Sequence, residues 1–191
     1  MRTEDIVTTA ARLFARSGYS QVGMRDIADS LDIKGASLYH HFPSKEDILY
    51  AVCLTVTREP VEENLPLLDA EGTPSSRLSA LVRAHIEHLS RRKTEHLVGV
   101  HELNSLTAEH RATIDDYLRY YHRRVRDVIA AGNRAGELDV PDARVAAFAL
   151  LDMLNGFSGW YDPEGPLPVS AIANSYVTLA VPGLLKASHQ V

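Results

Sequence analysis

Cysteine is nearly absent from this chain of 191 residues: Cys53 stands alone, which excludes an intrachain disulfide and any multi-cysteine metal site. It follows Leu49 by four residues on an apolar stripe, the place of a buried filler rather than of a reactive thiol. No apolar run approaches the roughly 18 residues that a membrane span needs, and the N-terminus lacks the basic-then-apolar plan of a signal peptide. A cytoplasmic protein without membrane contact is therefore expected. Excess positive charge is missing too, since the formal net charge is −5, and this excludes a protein that coats nucleic acid by bulk attraction. There is no nucleophile elbow, phosphate loop or zincin motif, so neither catalysis nor a cofactor is expected. Internal repeats and low-complexity tracts are lacking as well.

What is present is helical periodicity. Hydrophobic residues make up 45% of the chain, enough to bury a real core. Ile6, Val7, Ala10, Leu13, Phe14 and Ser17 form one helical stripe, and Gly18 follows as a stop signal. Met24, Ile27, Ala28 and Leu31 repeat the pattern over about two turns before Asp32 breaks it. Leu38 and Phe42, one turn apart, anchor a further short helix, and Pro43 forces Phe42 out of helical geometry. With Leu38 inward, Ala36 and His40 point away, Ser37 and Tyr39 flank them, and His41 lies nearer the inside. This outward face, small then polar then aromatic, suits a helix entering a major groove about 12 Å wide. Lys34 stands where a hydroxyl or carboxylate cap is usual, a loss that an ammonium reaching a phosphate would offset. A plain corner of two helices in a helical protein would show the same apolar spacing.

The residues IADSLDIKGASLYHHFPSKEDIL resemble the DNA-binding signature of the TetR family of one-component bacterial repressors. The resemblance runs from about Ile6 to Leu49 and is most specific over LYHHFPSKEDIL. It implies DNA contacts at Arg25, Lys34, Gly35, Ala36, Ser37, Tyr39, His40 and Lys45, with His41 supporting. Three departures stand out: Gly23 where Ser or Thr caps the helix, Asp32 for the turn glycine, and Lys34 for a capping Ser. Asp can occupy the left-handed region and Gly is an acceptable cap, so the fold survives them. Residues 1–47 carry six Lys and Arg against seven Asp and Glu, so DNA affinity must come from placement and from the two copies of a dimer.

Ser44, with Glu46 and Asp47 in the first turn, opens a helix running to about Arg58. Pro60, Pro66, Gly72 and Pro74 punctuate a connection, and Thr73 caps the next helix, with Leu78, Leu81, Val82, His85, Ile86 and Leu89 inward. A shorter helix over Leu97 to Ser105 is expected, and then a long one capped by Thr107 and stopped by Gly136. In the long helix Ile114, Tyr117, Leu118, Tyr121, Val125, Val128 and Ile129 face inward. The following helix, from Pro141, is apolar almost all round, and in so small a chain one side can pack on a second copy. A last helix from Val169 turns Ile172, Tyr176 and Leu179 inward, and Pro182 should kink or end it. The architecture expected is all-α with about nine helices: a three-helix helix-turn-helix module over residues 1–47 and a larger ligand-binding and dimerisation domain over residues 48–191.

Dimer contacts are expected at Phe148, Asp152, Gly156, Gly159 and Tyr176, on the last two helices. Asp152, a lone carboxylate in an apolar helix, could equally reach solvent or address a ligand. His85, His101, Tyr117, Tyr121, Phe157, Trp160 and Tyr161 fall on inward faces. They are either plain core or the lining of an amphipathic small-molecule cavity. The segment GFSGWYDPEGPLPVSAIANSY resembles the C-terminal part of TetR-type regulators of fatty-acid or steroid catabolism that respond to acyl-CoA thioesters. The spacing of Trp160, Tyr161, Pro163, Gly165 and Leu167 carries this resemblance. It implies a small-molecule effector of that class, whose phosphates Arg119, Arg123, Arg124 and Arg126 could meet unless they form a solvated face. His85 and His88, with His96, His101 and Glu102 nearby, keep a metal sensor open as a rival, and a multidrug or hydrophobic-ligand sensor is another. The expected partners are thus operator DNA, an effector and a second copy of the chain.

Overall fold

A computed structural model describes residues 2–185, and all regular structure among them is helical. The chain separates into two compact units. The first holds the residues up to Arg58 together with Arg92–Asp115. It contains α1 (Thr3–Ser17), α2 (Met24–Ser30), α3 (Gly35–His41), most of α4 (Lys45–Glu63), α6 (Lys93–Glu102) and the start of α7 (Ala108–Arg134). Ile6, Val7, Ala10, Ala11 and Phe14 of α1 close on Ile27, Ala28, Leu38, Phe42, Ile48, Leu49 and Val52, with Val98 and Ile114 completing the core. Burial of each larger apolar side chain contributes about 1.5–3 kcal/mol.

Local chemistry sets the ends of these short helices. Gly18 leaves α1 at φ 84° and its N–H donates to Phe14 O at 2.9 Å. Gly23 offers α2 no side chain, but Asp26 Oδ2 accepts the Gly23 N–H at 2.7 Å, which supplies the acidic half of a capping box. At the other end of α2, Asp32 has φ 53°, the one non-glycine residue at positive φ among those described. The Asp32 N–H donates to Asp29 O at 3.2 Å and the Ile33 N–H to Ala28 O at 3.0 Å, the paired bonds of a Schellman turn. Ser44 Oγ accepts the Asp47 N–H at 3.1 Å and donates to Asp47 Oδ2 at 2.6 Å, fixing the start of α4.

The second unit holds Glu59–Arg91 and the residues from Asp116 on. Its core joins Leu65 and Leu68 of a 3-10 turn to α5 (Pro74–Arg91), the later part of α7, α8 (Ala143–Asn155) and α9 (Val169–Thr178). Thr73 Oγ1 caps α5 through the Ser76 N–H at 3.2 Å, Thr107 Oγ1 caps α7 through the His110 N–H at 3.3 Å, and Gly136 follows α7 at φ 71°. Asp142 Oδ1 accepts from Arg144 and Val145 N–H at 2.7 and 3.1 Å, so α8 begins two residues beyond Pro141. Gly156 keeps helical angles, and one further turn, Phe157–Trp160, extends α8. Pro182 cannot donate an amide proton, and the chain after α9 widens into a π turn, Leu179–Leu184, closed by Leu185 N–H to Ala180 O at 3.0 Å.

Four expectations need correction. α4 continues through Pro60 to Glu63 rather than stopping near Arg58, because Asn64 N–H still closes on Pro60 O at 2.9 Å and only the Pro60 donor is lost. α6 starts at Lys93 rather than Leu97, with Arg92 as the whole break after α5 and a 3-10 turn over Leu103–Ser105. Leu118 is 44% exposed, since a helix of 27 residues is about 40 Å long and apolar spacing gives direction without guaranteeing a neighbour at every level. Leu179 is 60% exposed because the π turn rotates the apolar face onto Ala180, Val181 and Leu185. No helix among the described residues is long and apolar enough to cross a membrane.

Candidate DNA interface and effector core

Only Leu38 of α3 is buried, and Gly35, Ala36, Ser37, Tyr39, His40 and His41 are all exposed. His41 thus joins the outer face instead of leaning inward, its ring edge-on to His40 at 6.0 Å. Lys34 is the N-cap, exposed and without a side-chain cap hydrogen bond, so the first N–H groups of α3 stay open beside an ammonium. Both features favour an anion at this end. Arg25, exposed on α2, pairs with Asp29 at 3.7 Å, a surface contact of little strength.

Lys45 is placed differently from its neighbours. It is half-buried, its Nζ donates to Tyr19 O at 2.8 Å, and it lies 4.2 Å from the centroid of the Tyr19 ring. The start of α4 is thereby tied to the turn after α1. Behind it Glu46 accepts the Thr107 N–H at 2.8 Å and meets His110 Nδ1 at 2.9 Å, while the His110 ring stacks on Tyr50 at 3.8 Å. Glu46, Asp47 and His110 form the one cluster of metal-ligand type among the described residues, and the carboxylates in it already serve helix ends. Neither Tyr19 nor His110 drew notice in the sequence, because partners so distant in the chain leave no periodic trace.

In the second unit His85 and Tyr121 come together. His85 Nδ1 lies 3.1 Å from Tyr121 Oη and Nε2 lies 3.3 Å from Asn155 Oδ1. Burial pushes the Tyr121 phenol well above its ordinary pKa, an effect that the neighbouring Asn64 amide opposes. Phe157 is fully buried, stacked on Tyr161 at 4.5 Å and edge-on to Trp160 at 5.4 Å. Trp160 itself is 54% exposed and donates from Nε1 to Tyr176 Oη at 3.2 Å, so it sits at the edge of the aromatic group rather than inside it. Tyr117 is half-buried. His101 is exposed on α6 and belongs to the first unit, where it borders a groove of about 370 Å³ beside Phe14, Leu97 and Glu102.

The arginines of α7 are partly committed. Arg119 pairs with Asp116, Arg126 with Asp127 and Arg124 with Asp69, each at 2.6 Å, and the Asp69 bond raises the Arg124 pKa. Arg123 lies over the Tyr120 ring at 5.3 Å. Asp152, Gly156 and Gly159 are exposed, as is Phe148 at 48%, which rests on the His122 ring at 3.7 Å. Asp152 therefore reaches the surface, and Tyr176 is half-buried. Asn64, buried at 3% exposure, was missed because it sits between prolines that read as a linker, whereas His88, weighed only as a metal ligand, is buried at 1% just off the apolar stripe of α5.

A short outward helix held by a tight turn against two others, ahead of a separate helical core with buried polar groups, defines a helix-turn-helix regulator. The chain belongs to the TetR family of bacterial regulatory proteins, which are transcriptional regulators and not enzymes. The family's DNA-binding model matches residues 6–52, and a tetracyclin repressor-like C-terminal domain matches residues 71–184. The transcriptional repressor KstR2 of Mycobacterium tuberculosis is 27% identical over 190 residues, covering 97% of this chain and 94% of the relative. The fatty acid metabolism regulator protein of Bacillus subtilis is 25% identical over 183 residues, covering 94% and 93%. Among solved structures, AibR in complex with isovaleryl coenzyme A and operator DNA has a TM-score of 0.83 at 31% identity, covering 95% of this chain and 99% of that one.

Proposed function

We propose that this protein is a homodimeric repressor of a palindromic operator, released by a coenzyme A thioester with an apolar acyl or polycyclic group. The whole-length similarity to AibR, solved with both isovaleryl coenzyme A and operator DNA, carries this reading. KstR2, a ketosteroid transcriptional regulator, and the fatty acid metabolism regulator support an apolar, lipid-type group on the effector. Residues 1–47 act as the reader and residues 48–191 as the effector and dimer domain. Arg25, Lys34 to Ser37, Tyr39, His40, His41 and Lys45 are the DNA surface, with Lys34 and Lys45 on phosphates and the α3 face on base edges.

The effector's apolar part lies among His85, Tyr117, Tyr121, Phe157 and Trp160. Dimerisation uses α8 and α9, with Phe148, Asp152, Gly156, Gly159 and Tyr176 at the contact, because Val145, Phe148, Leu179 and Leu184 expose apolar surface there. Two-fold symmetry then requires a palindrome. An effector that binds the releasing conformer more tightly shifts the population away from the spacing that both half-sites need. A gel-shift titration separates the rivals: thioesters release operator here, a broad hydrophobic sensor responds equally to free acids or cationic dyes, and a metal sensor responds to zinc. Release by free acids as strong as by thioesters would overturn the coenzyme A reading.

A further inference from the structure

The outer stripe of α8 carries two opposite charges with an aromatic ring midway between them. Arg144, Phe148 and Asp152 follow one another at intervals of four residues, so they share a face, and each charge lies about 6 Å along the axis from Phe148. All three are exposed, and Val145 beside them is 63% exposed. The Arg144 guanidinium leans along the stripe, its Cζ 6.0 Å from the Phe148 ring centroid.

Neither charge is paired within its own chain. Arg119, Arg124 and Arg126 of the neighbouring α7 hold carboxylates at 2.6 Å, whereas Arg144 and Asp152 have no ion-pair partner among the described residues. Helix stability does not account for Arg144 either, since a cation in the first turn opposes the dipole. Under the stripe the His122 ring meets Phe148 at 3.7 Å and faces Arg126, Arg144 and Asp152. Burial first, and then the two guanidinium charges, hold the His122 pKa below its ordinary value against the pull of Asp152. The ring is therefore neutral at pH 7 and leaves that carboxylate unclaimed.

Read in reverse, the order cation, ring, anion becomes anion, ring, cation, so the stripe is complementary to an antiparallel copy of itself. We infer that two copies of the chain dock α8 against α8 in antiparallel fashion about Phe148, with Arg144 paired to Asp152 of the partner subunit and the same pair repeated by symmetry. The inference rests on the proposed dimer and adds its orientation: helices crossed in parallel would set like charges against each other.

The test co-expresses the wild type with the double exchange Arg144→Asp/Asp152→Arg, both as full chains with tags of different mass, and counts the dimers by native mass spectrometry. The exchange conserves net charge, so bulk attraction cannot sort the chains. Each should pair with its own kind, because a mixed dimer sets like charges together at both contacts. If that weakens the mixed dimer about 10-fold, its share should fall to about one-tenth, from about half in random pairing. A second readout needs no charge reversal: in Arg144→Lys, a carbodiimide should join the new amine to Asp152 of the partner subunit, a link that one chain cannot make across about 12 Å of helix. Mixed dimers at about half of the total or above, or dimers of Arg144→Lys without that link, overturn the antiparallel pairing alone. Monomers of the wild type at every concentration overturn the proposed dimer and this inference with it.

Discussion

Lys45→Ala separates two roles that meet in one side chain. The ammonium donates to Tyr19 O at 2.8 Å and lies 4.2 Å from the Tyr19 ring centroid. A hydrogen bond from a charged donor contributes about 1.5–3 kcal/mol and an exposed cation–π contact about 0.5–1 kcal/mol. Lys45 is only half-buried, so screening lowers the sum to about 1–2 kcal/mol. In a chain of this length 1 kcal/mol moves the melting temperature by about 2–4 °C, so the variant should melt about 2–8 °C lower. Tyr19 O takes one of three N–H donors, which leaves two for a phosphate. The slope of log affinity against log salt should therefore also fall by about 0.9 per subunit. Thermal denaturation of the ligand-free protein and anisotropy titrations on operator DNA read the two effects separately. An unchanged melting temperature would refute the tether to Tyr19, and an unchanged slope would refute the phosphate contact.

Asp32→Gly should leave stability within about 0.5 kcal/mol, whereas Asp32→Val should cost about 1–2 kcal/mol, because a branched side chain disfavours φ 53°; equal denaturation midpoints for the two variants would contradict the turn assignment. The Cys53 thiol is raised from 9.0 to about 12, by burial first and Glu46 second, with Arg111 opposing. It should resist Ellman's reagent at pH 8 until the chain unfolds, and its contribution to stability, intact below pH 9, should decline between pH 9 and 12, where only the unfolded thiol ionises; fast labelling of the native protein would sink this. Phe148→Glu should yield folded monomers in sedimentation equilibrium, since the side chain is 48% exposed in one copy, and persistent dimers would move the interface elsewhere.

Helix ends were the most legible part of the fold, because each is specified by residues close in sequence. Thr73, Thr107 and the Ser44–Asp47 pair make the caps expected of them, and Gly18, Asp32 and Gly136 take the positive φ that ends their helices. Inward stripes on α1, α5 and α7 could be read for the same reason, being set by a period of 3.6 residues. Pro60 inside α4 and the one-residue break at Arg92 could not, because each depends on which neighbouring hydrogen bonds survive rather than on residue type. The outward face of α3 was visible from Leu38 alone, but the Lys45–Tyr19 tether spans 26 residues and the Asn155–His85–Tyr121 chain links three helices. Asn64 looked like linker because the prolines around it are turn signals, although its neighbours Leu65 and Leu68 are core.

The most direct test of the account uses an operator selected by the protein itself from random duplex DNA. Fluorescence anisotropy on that duplex, with and without decanoyl-CoA, measures reading and release together. The selected site should be a palindrome bound by two chains, with affinity falling by about 10-fold or more when the thioester is added and unchanged by decanoic acid. A site without two-fold symmetry, or affinity indifferent to the thioester, would contradict it.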